Sequence, residues 1–235
     1  MARKKLEQEI QETESTGIIY REIHVRLTTI EEMLGTASAN PEIYREFIAE
    51  NAPTPEKTEE EVSAIEAVDP EQEFEKAKTV FPMQDGKPFM WDYQVKGFFK
   101  DTCSALRSVK GTLSSKLTAF KKVIDGQIFP MERRIPIQFD GQIGVCQRPL
   151  RAQTAQGERI ALAASDSIPE GAVLEFTIMY LENAKFDLGA VIREWLDYGR
   201  LRGLGQWRNS GKGRYVWEEL DENGNVIGGN KPKAA

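Results

Sequence analysis

The sequence predicts an α+β fold: an antiparallel sheet with helices on one face, an inserted hairpin and a glycine-rich loop near the carboxy terminus. Three observations predict it. Period-two runs rich in β-branched and aromatic residues recur along the chain, two strongly amphipathic helical repeats are interleaved with them, and Gly, Asp and Asn turns punctuate the runs. With 235 residues the chain is ample for a hydrophobic core, so nothing about its size calls for disulfides.

Residues 1–17 are charged and Gln-rich without apolar periodicity and read as an arm; a single domain is expected over 18–235. From Ile19 to Leu27 apolar and polar residues alternate imperfectly, as in a half-buried strand. After Leu34-Gly35 the chain turns. Asn40-Pro41 looks like a helix cap with proline in the first turn, followed by an apolar stripe of Ile43, Phe47 and Ile48. From about 52 to 78 the chain is Pro- and Glu-rich and too acidic to bury itself, which marks an insertion.

Order resumes at Val80-Phe81-Pro82, with a turn at Asp85-Gly86 and an apolar run Pro88-Phe89-Met90-Trp91. Asp92 is placed to cap a helix lined by Val95, Phe98, Phe99, Cys103, Leu106 and Val109, with Lys96, Lys100, Arg107 and Lys110 toward water. Strands over 128–139 and 142–146 flank Asp140-Gly141, a two-residue hairpin signal. Two more strands, 159–164 and 173–181, flank a turn at Pro169-Glu170-Gly171. Asp187 caps a second helix whose Leu188, Val191, Ile192, Trp195 and Leu196 share one face. Tyr215-Val216-Trp217 is a strand, and Asn223-Gly224 turns it into a final hairpin. The economical arrangement of these elements is ferredoxin-like (RRM-like) with one inserted hairpin.

Net charge is −6, yet the charges segregate. Acidic residues crowd 42–75, while Lys96, Lys100, Arg107, Lys110, Lys116, Lys121 and Lys122 form one basic series and Arg193, Arg200, Arg202, Arg208, Lys212 and Arg214 another. An acidic protein can therefore carry a basic groove. All of the second series but Arg193 lies in Tyr198–Tyr215, where Gly199, Gly203, Gly205, Gly211 and Gly213 alternate with the cations and with Trp207. Glycine lets backbone N–H groups approach an anion, arginine supplies forked donors, and Trp207 or Tyr215 could stack on a base. The plain alternative is a flexible, solvated connection. A P-loop is excluded because Gly205 to Gly211 is one residue too long and Lys212 precedes Gly213; a dinucleotide fingerprint is excluded because Gly203 and Gly205 follow a helix and precede a strand.

Gln147-Arg148-Pro149-Leu150-Arg151-Ala152-Gln153-Thr154 sets two arginines among hydrogen-bonding groups between strands, which suits contact with a strand's backbone or with an adjacent subunit, or a plain connection. One histidine and two distant cysteines supply no zinc site, and no metal or small-molecule cofactor is expected. Cys103 and Cys146 read as buried thiols of a reducing cytosol, and no run approaches membrane-spanning length, so a cytoplasmic protein is expected. His24 is the one side chain whose ordinary pKa suits metal-free RNA cleavage; a structural or RNA-contacting role is the competing reading.

Three separated segments carry a family resemblance: 199–214, 87–99 and 168–176. The Lys87-Pro88-Phe89 to Lys96-Gly97-Phe98-Phe99 loop and helix start, the Ile168-Pro169-Glu170-Gly171 turn with its strand, and the carboxy-terminal glycine-rich loop resemble, in their order along the chain, parts of the RAMP superfamily of CRISPR-associated RNA-binding proteins. The resemblance implies a ferredoxin-like fold, single-stranded RNA binding, and side-by-side assembly with copies of itself or with related subunits. Target-cleaving members have an aspartate in a loop soon after the first strand, where this sequence has Thr36-Ala37-Ser38-Ala39-Asn40, so binding without cleavage is expected. The chain also resembles proteins encoded by phages and prophages of Gram-positive bacteria. Three functions follow from the residues and the resemblance: a non-enzymatic binder of single-stranded nucleic acid, RNA favoured over DNA; a metal-independent endoribonuclease using His24; and a phage interaction protein that mimics a CRISPR effector subunit.

Overall fold

The computed structural model describes residues 17–39, 78–154 and 157–232, and their side chains outside 150–162. Along them run β1 (Tyr20–Thr29), β2 (Met33–Leu34), β3 (Ala37–Ser38), β4 (Thr79–Val80), β5 (Met83–Gln84), β6 (Lys87–Trp91) and α1 (Asp92–Leu106). There follow α2 (Phe120–Gln127), β7 (Ile128–Pro130), β8 (Arg134–Gln138), β9 (Gly144–Thr154), β10 (Gly157–Ile168), β11 (Val173–Leu181), α3 (Leu188–Asp197), β12 (Tyr215–Leu220) and β13 (Val226–Gly229). The expected arm over 1–17, the helix after Asn40-Pro41 and the acidic insertion lie outside the described residues, except for Gly17 and Lys78.

The parity of β1 sets the core. Ile23, Val25 and Leu27 are each 1% exposed, so His24 and Arg26 face the other way. β1 is paired on both sides and antiparallel throughout: Val25 opposes Phe176 of β11, and Leu27 opposes Leu174 of β11 and Trp217 of β12. The larger sheet runs β13-β12-β1-β11-β8-β6-β5, and β7 also pairs with β11. Chain order β1, α1, β7/β8, β11, α3, β12 with spatial order β12-β1-β11-β7/β8 is the ferredoxin-like arrangement. The hairpin β9–β10 is inserted between its second and third strands, pairing from Gly144 and Ser167 out to Thr154 and Gly157. With β2, β3 and β4 this hairpin makes a second, five-stranded sheet.

Both longer helices cover the same face of the larger sheet. Val95, Phe98, Phe99, Cys103 and Leu106 of α1 and Leu188, Val191, Ile192, Trp195 and Leu196 of α3 form one core with Ile23, Val25, Leu27, Phe176 and Ile178. Each large side chain so buried contributes about 1.5–3 kcal/mol. Trp195 packs 5.3 Å from Phe99 ring to ring, and its indole N–H donates to Ser114 Oγ at 2.9 Å, so its one polar atom is satisfied. Asp187 caps α3 as expected, its carboxylate accepting from the Ala190 N–H at 3.0 Å. The Asp85-Gly86 turn joins β5 to β6 with both residues at positive φ, 51° and 73°, and β12–β13 is the final hairpin. No helix among the described residues is long and apolar enough to cross a membrane.

Several sequence expectations need correction. Asp140-Gly141 does not turn a hairpin between β8 and β9: β8 is already paired with β11 on one edge and β6 on the other, so β9 leaves for the second sheet. The Gln147–Thr154 stretch is β9 itself, not a connection. Asp92 is the first residue of α1, not its cap; Gln94 Oε1 accepts from the Trp91 N–H at 3.0 Å, and Asp92 instead pairs with Arg133 at 2.6 Å. The helix stops at Leu106, which leaves Val109 exposed. Helix α2 was not foreseen. Cys103 is buried, with its thiol pushed up first by that burial, but Cys146 is only half-buried.

Candidate nucleic-acid interface

The chain from α3 to β12 passes over Tyr198–Arg214 as a loop with two short 3-10 turns, and its glycines answer a packing problem. A Cβ on Gly203 would lie 2.0 Å from the Gly213 carbonyl carbon, and one on Gly213 would lie 1.9 Å from the Leu204 oxygen. Gly199 lies flat against the Tyr215 ring, where a Cβ would come within 2.2 Å of Cζ. The loop is thereby folded onto itself and onto the link between β1 and β2. Leu204 N–H donates to the Gly213 carbonyl (2.9 Å), Gly213 N–H to the Glu32 carbonyl (2.8 Å), and Gln206 N–H to the Leu34 carbonyl (3.3 Å). The N–H of Gly211 donates to the Arg208 carbonyl at 3.0 Å. Backbone donors at Gly211 and Gly213 are thus engaged inside the protein, and Gly203 and Gly213 are buried.

Tyr215 is a correction. It is 1% exposed because it opposes Thr29 on the inner face of β12, with its ring beside Phe98, so no base can stack on it. Its hydroxyl is pushed well up by burial, with Asp197 adding to the shift. Trp207 is 39% exposed and sits at φ 54°, ψ 35°, a left-handed conformation that costs a bulky L-residue about 1–2 kcal/mol.

The cations of the loop share one surface with carboxylates that the sequence analysis did not single out. Arg202 pairs with Asp101 of α1 and donates to Asn209 Oδ1 at 2.8 Å; Arg208 reaches the same Asp101 at 3.2 Å. Lys212 pairs with Glu32, and Arg214 with Glu31 at 2.6 Å. Arg200 is exposed at the loop's start. Asp101 carried a weak signal, being the acid among the basic residues on the polar side of α1; Glu31 and Glu32 are remote in sequence and had none.

Arg148 is 8% exposed on β9. Its guanidinium donates to Ser165 Oγ and to Gln206 Oε1, each at 3.1 Å, and lies 4.9 Å from the centroid of the Trp207 ring. The inserted hairpin thus meets the glycine-rich loop through Arg148. Arg151 opposes Ile160 in the same hairpin, and its side chain lies outside the described residues.

Lys96 and Lys100 are engaged elsewhere. Lys100 pairs with Asp125 of α2 at 2.6 Å, and Lys96 lies 4.6 Å over the Phe129 ring, its ammonium pushed down first by burial. His24 lies on the open face of the larger sheet, with Nδ1 3.0 Å from Thr177 Oγ1 and Nε2 3.7 Å from Glu22. It lines a cleft of about 250 Å³ with Glu132, Glu175, Asp221 and Glu222, and no residue of the glycine-rich loop lines that cleft.

Glu32 gives the site a pH dependence. Hydrogen bonds from Lys212 first, and from Ser167 second, hold its carboxyl below the ordinary 4.5, and the same contact raises Lys212 above its ordinary 10.5. A depressed carboxylate stabilises the fold above its unfolded value, and that contribution is lost as the pH falls below 4.5 through the folded value. Glu32→Gln is expected to flatten that acid limb in urea unfolding followed against pH. An unchanged limb would mean that the Glu32–Lys212 pair is not formed.

No family model matches the chain, and no curated protein matches it. Among solved structures, it is similar to a chain from a cryo-EM structure of the type III-B Cmr-beta bound to cognate target RNA, at 14% identity and a TM-score of 0.46. The match covers 94% of this chain and 65% of that one.

Proposed function

We propose that this chain is a non-enzymatic, RAMP-like protein that binds single-stranded nucleic acid, RNA in preference to DNA, along the surface of the glycine-rich loop. One observation carries the reading: a single loop presents Arg202 and Arg208 at Asp101, Lys212 and Arg214 at the adjacent Glu32 and Glu31, and a partly exposed Trp207 that is backed by Arg148. Cations that track a backbone, next to an aromatic ring for a base, are the two parts a single-strand site needs. The open face of the larger sheet is a poor competitor, because Glu22, Glu132, Glu175 and Glu218 surround His24 and Arg26 there and would repel phosphates. Preference for RNA, and assembly side by side with further copies or related subunits, rest on the resemblance of the three sequence segments.

The test is fluorescence anisotropy of labelled single-stranded RNA and DNA of equal length across a salt series. Affinity is expected to fall steeply as salt rises, with a slope of about −0.7 per phosphate neutralised, and to be higher for RNA. Absence of binding to either strand at low salt would overturn the proposal; equal binding would remove the RNA preference alone.

A further inference from the structure

Arg148 presents an unusual charge balance. The guanidinium is buried, yet among the described residues the groups it meets are neutral: the Ser165 hydroxyl, the Gln206 amide and the Trp207 ring. A guanidinium stays charged, and a buried charge without a counter-charge is costly unless something else offsets it. The indole offsets part of that cost as a cation–π partner. The left-handed backbone at Trp207 adds a second local cost at the same spot. Two unfavourable features at adjoining side chains, beside a half-exposed ring, are what a ligand-binding position retains.

Arg148 also fixes how Gln206 points. Arginine has no acceptor, so the amide must turn its oxygen toward Arg148 Nη2, and the Thr79 hydroxyl lies 3.4 Å from that same oxygen. Turning the amide over would set its NH₂ against the guanidinium. Its oxygen is therefore committed inward, and its two N–H donors, which no described residue accepts from, are left for a ligand. Thr79 is itself tied to Ser165 at 2.8 Å, which closes a ring of hydrogen bonds through β4, β10, β9 and the loop.

We infer that Trp207, Arg148 and Gln206 form a single-nucleotide subsite in which a base stacks on Trp207 and accepts a hydrogen bond from Gln206 Nε2. The inference rests on the strand-binding proposal above and adds a base-binding position to it. Glutamine normally reads adenine with oxygen and nitrogen together. Here the oxygen is already in use, so donation alone remains, and because every base offers a ring nitrogen or a carbonyl oxygen as acceptor the subsite takes a base without selecting which.

The subsite has a built-in reporter. Trp91, Trp195 and Trp217 are 1%, 0% and 2% exposed, so a change in tryptophan emission on adding a short strand reports Trp207. Short oligouridylate and oligoadenylate are each expected to quench that emission. Trp207→Ala is expected to weaken binding of either about tenfold and to leave the salt slope unchanged, because no phosphate contact is lost. Gln206→Met removes the amide donors at similar size and is expected to weaken binding about fivefold, the effect of one hydrogen bond, while the quenching remains. The wild-type quenching needs no variant. Salt-sensitive binding without quenching, or Gln206→Met binding as tightly as the wild type, would overturn the subsite and leave the strand-binding proposal standing. No binding to either oligonucleotide at low salt would overturn both.

Discussion

Gly213→Ala is expected to destabilise the fold by about 2–5 kcal/mol, whereas Gly211→Ala, two residues away in the same loop, is expected to cost about 1 kcal/mol. Both glycines hold left-handed backbone, at φ 68° and φ 84°, so both substitutions incur the same steric cost at φ. They differ in what the added methyl meets. At Gly213 it would lie 1.9 Å from the Leu204 oxygen and 2.9 Å from its carbonyl carbon, which is backbone that cannot rotate away. At Gly211 its nearest neighbour is the Arg214 side chain at 3.4 Å, ordinary contact with a movable group. Moving Leu204 would disturb a core residue that is 4% exposed and break the Leu204 N–H to Gly213 bond, and with it the seating of the loop on Glu32. Thermal unfolding should separate the two variants by about 10 °C for a chain of this size. Equal shifts would mean that conformational freedom alone, and not close packing, is what these glycines supply.

That contrast also explains what could be read beforehand. A glycine-rich stretch is visible in any sequence, but whether a glycine frees an N–H for an anion or admits a neighbouring backbone depends on where the loop lies. Here the neighbours are Glu32, Leu34 and Leu204, of which two come from a segment some 170 residues earlier. Local signals carried well. The alternation in β1, the Asp187 cap with the apolar stripe of α3, and the Asp85-Gly86 and Asn223-Gly224 turns each depend on a few adjacent residues. The element order then led to the ferredoxin-like sheet.

What was not legible depended on pairing at a distance. Asp140-Gly141 has hairpin chemistry, but β8 had no free edge to offer β9. Tyr215 belongs to the loop by sequence and to the core by register, since its partner Thr29 faces inward. Helix α2 is short, and its apolar face is only Phe120, Val123 and Ile124. Of the cations chosen from sequence, Arg202 and Arg208 meet at Asp101, Lys212 and Arg214 at the adjacent Glu32 and Glu31, Arg148 joins the loop through an unforeseen contact with Trp207, and Lys96 and Lys100 turn to α2.

Replacing Arg208, Lys212 and Arg214 together by alanine is expected to lower the affinity for single-stranded RNA about a hundredfold at low salt and to reduce the salt slope by about 2. All three cations already hold carboxylates, Asp101, Glu32 and Glu31, yet these pairs leave them able to bind phosphate. Half-exposed ion pairs of this kind are worth about 0–1 kcal/mol each, against counterion release at every phosphate contact along a strand. A guanidinium also has five donors, so Arg208 can keep Asp101 and still donate to a phosphate. The carboxylates then act as a brake through repulsion, and Asp101→Asn, Glu31→Gln and Glu32→Gln together are expected to tighten RNA binding several-fold, about 1 kcal/mol, most clearly at low salt. Opposite signs for the two triple variants are the decisive result, because a general loss of folding would weaken binding in both. If both weakened it while thermal unfolding stayed unchanged, the carboxylates would be struts that hold the cations in place. If neither altered affinity or slope, the strand would bind away from the glycine-rich loop and the proposed interface would fall.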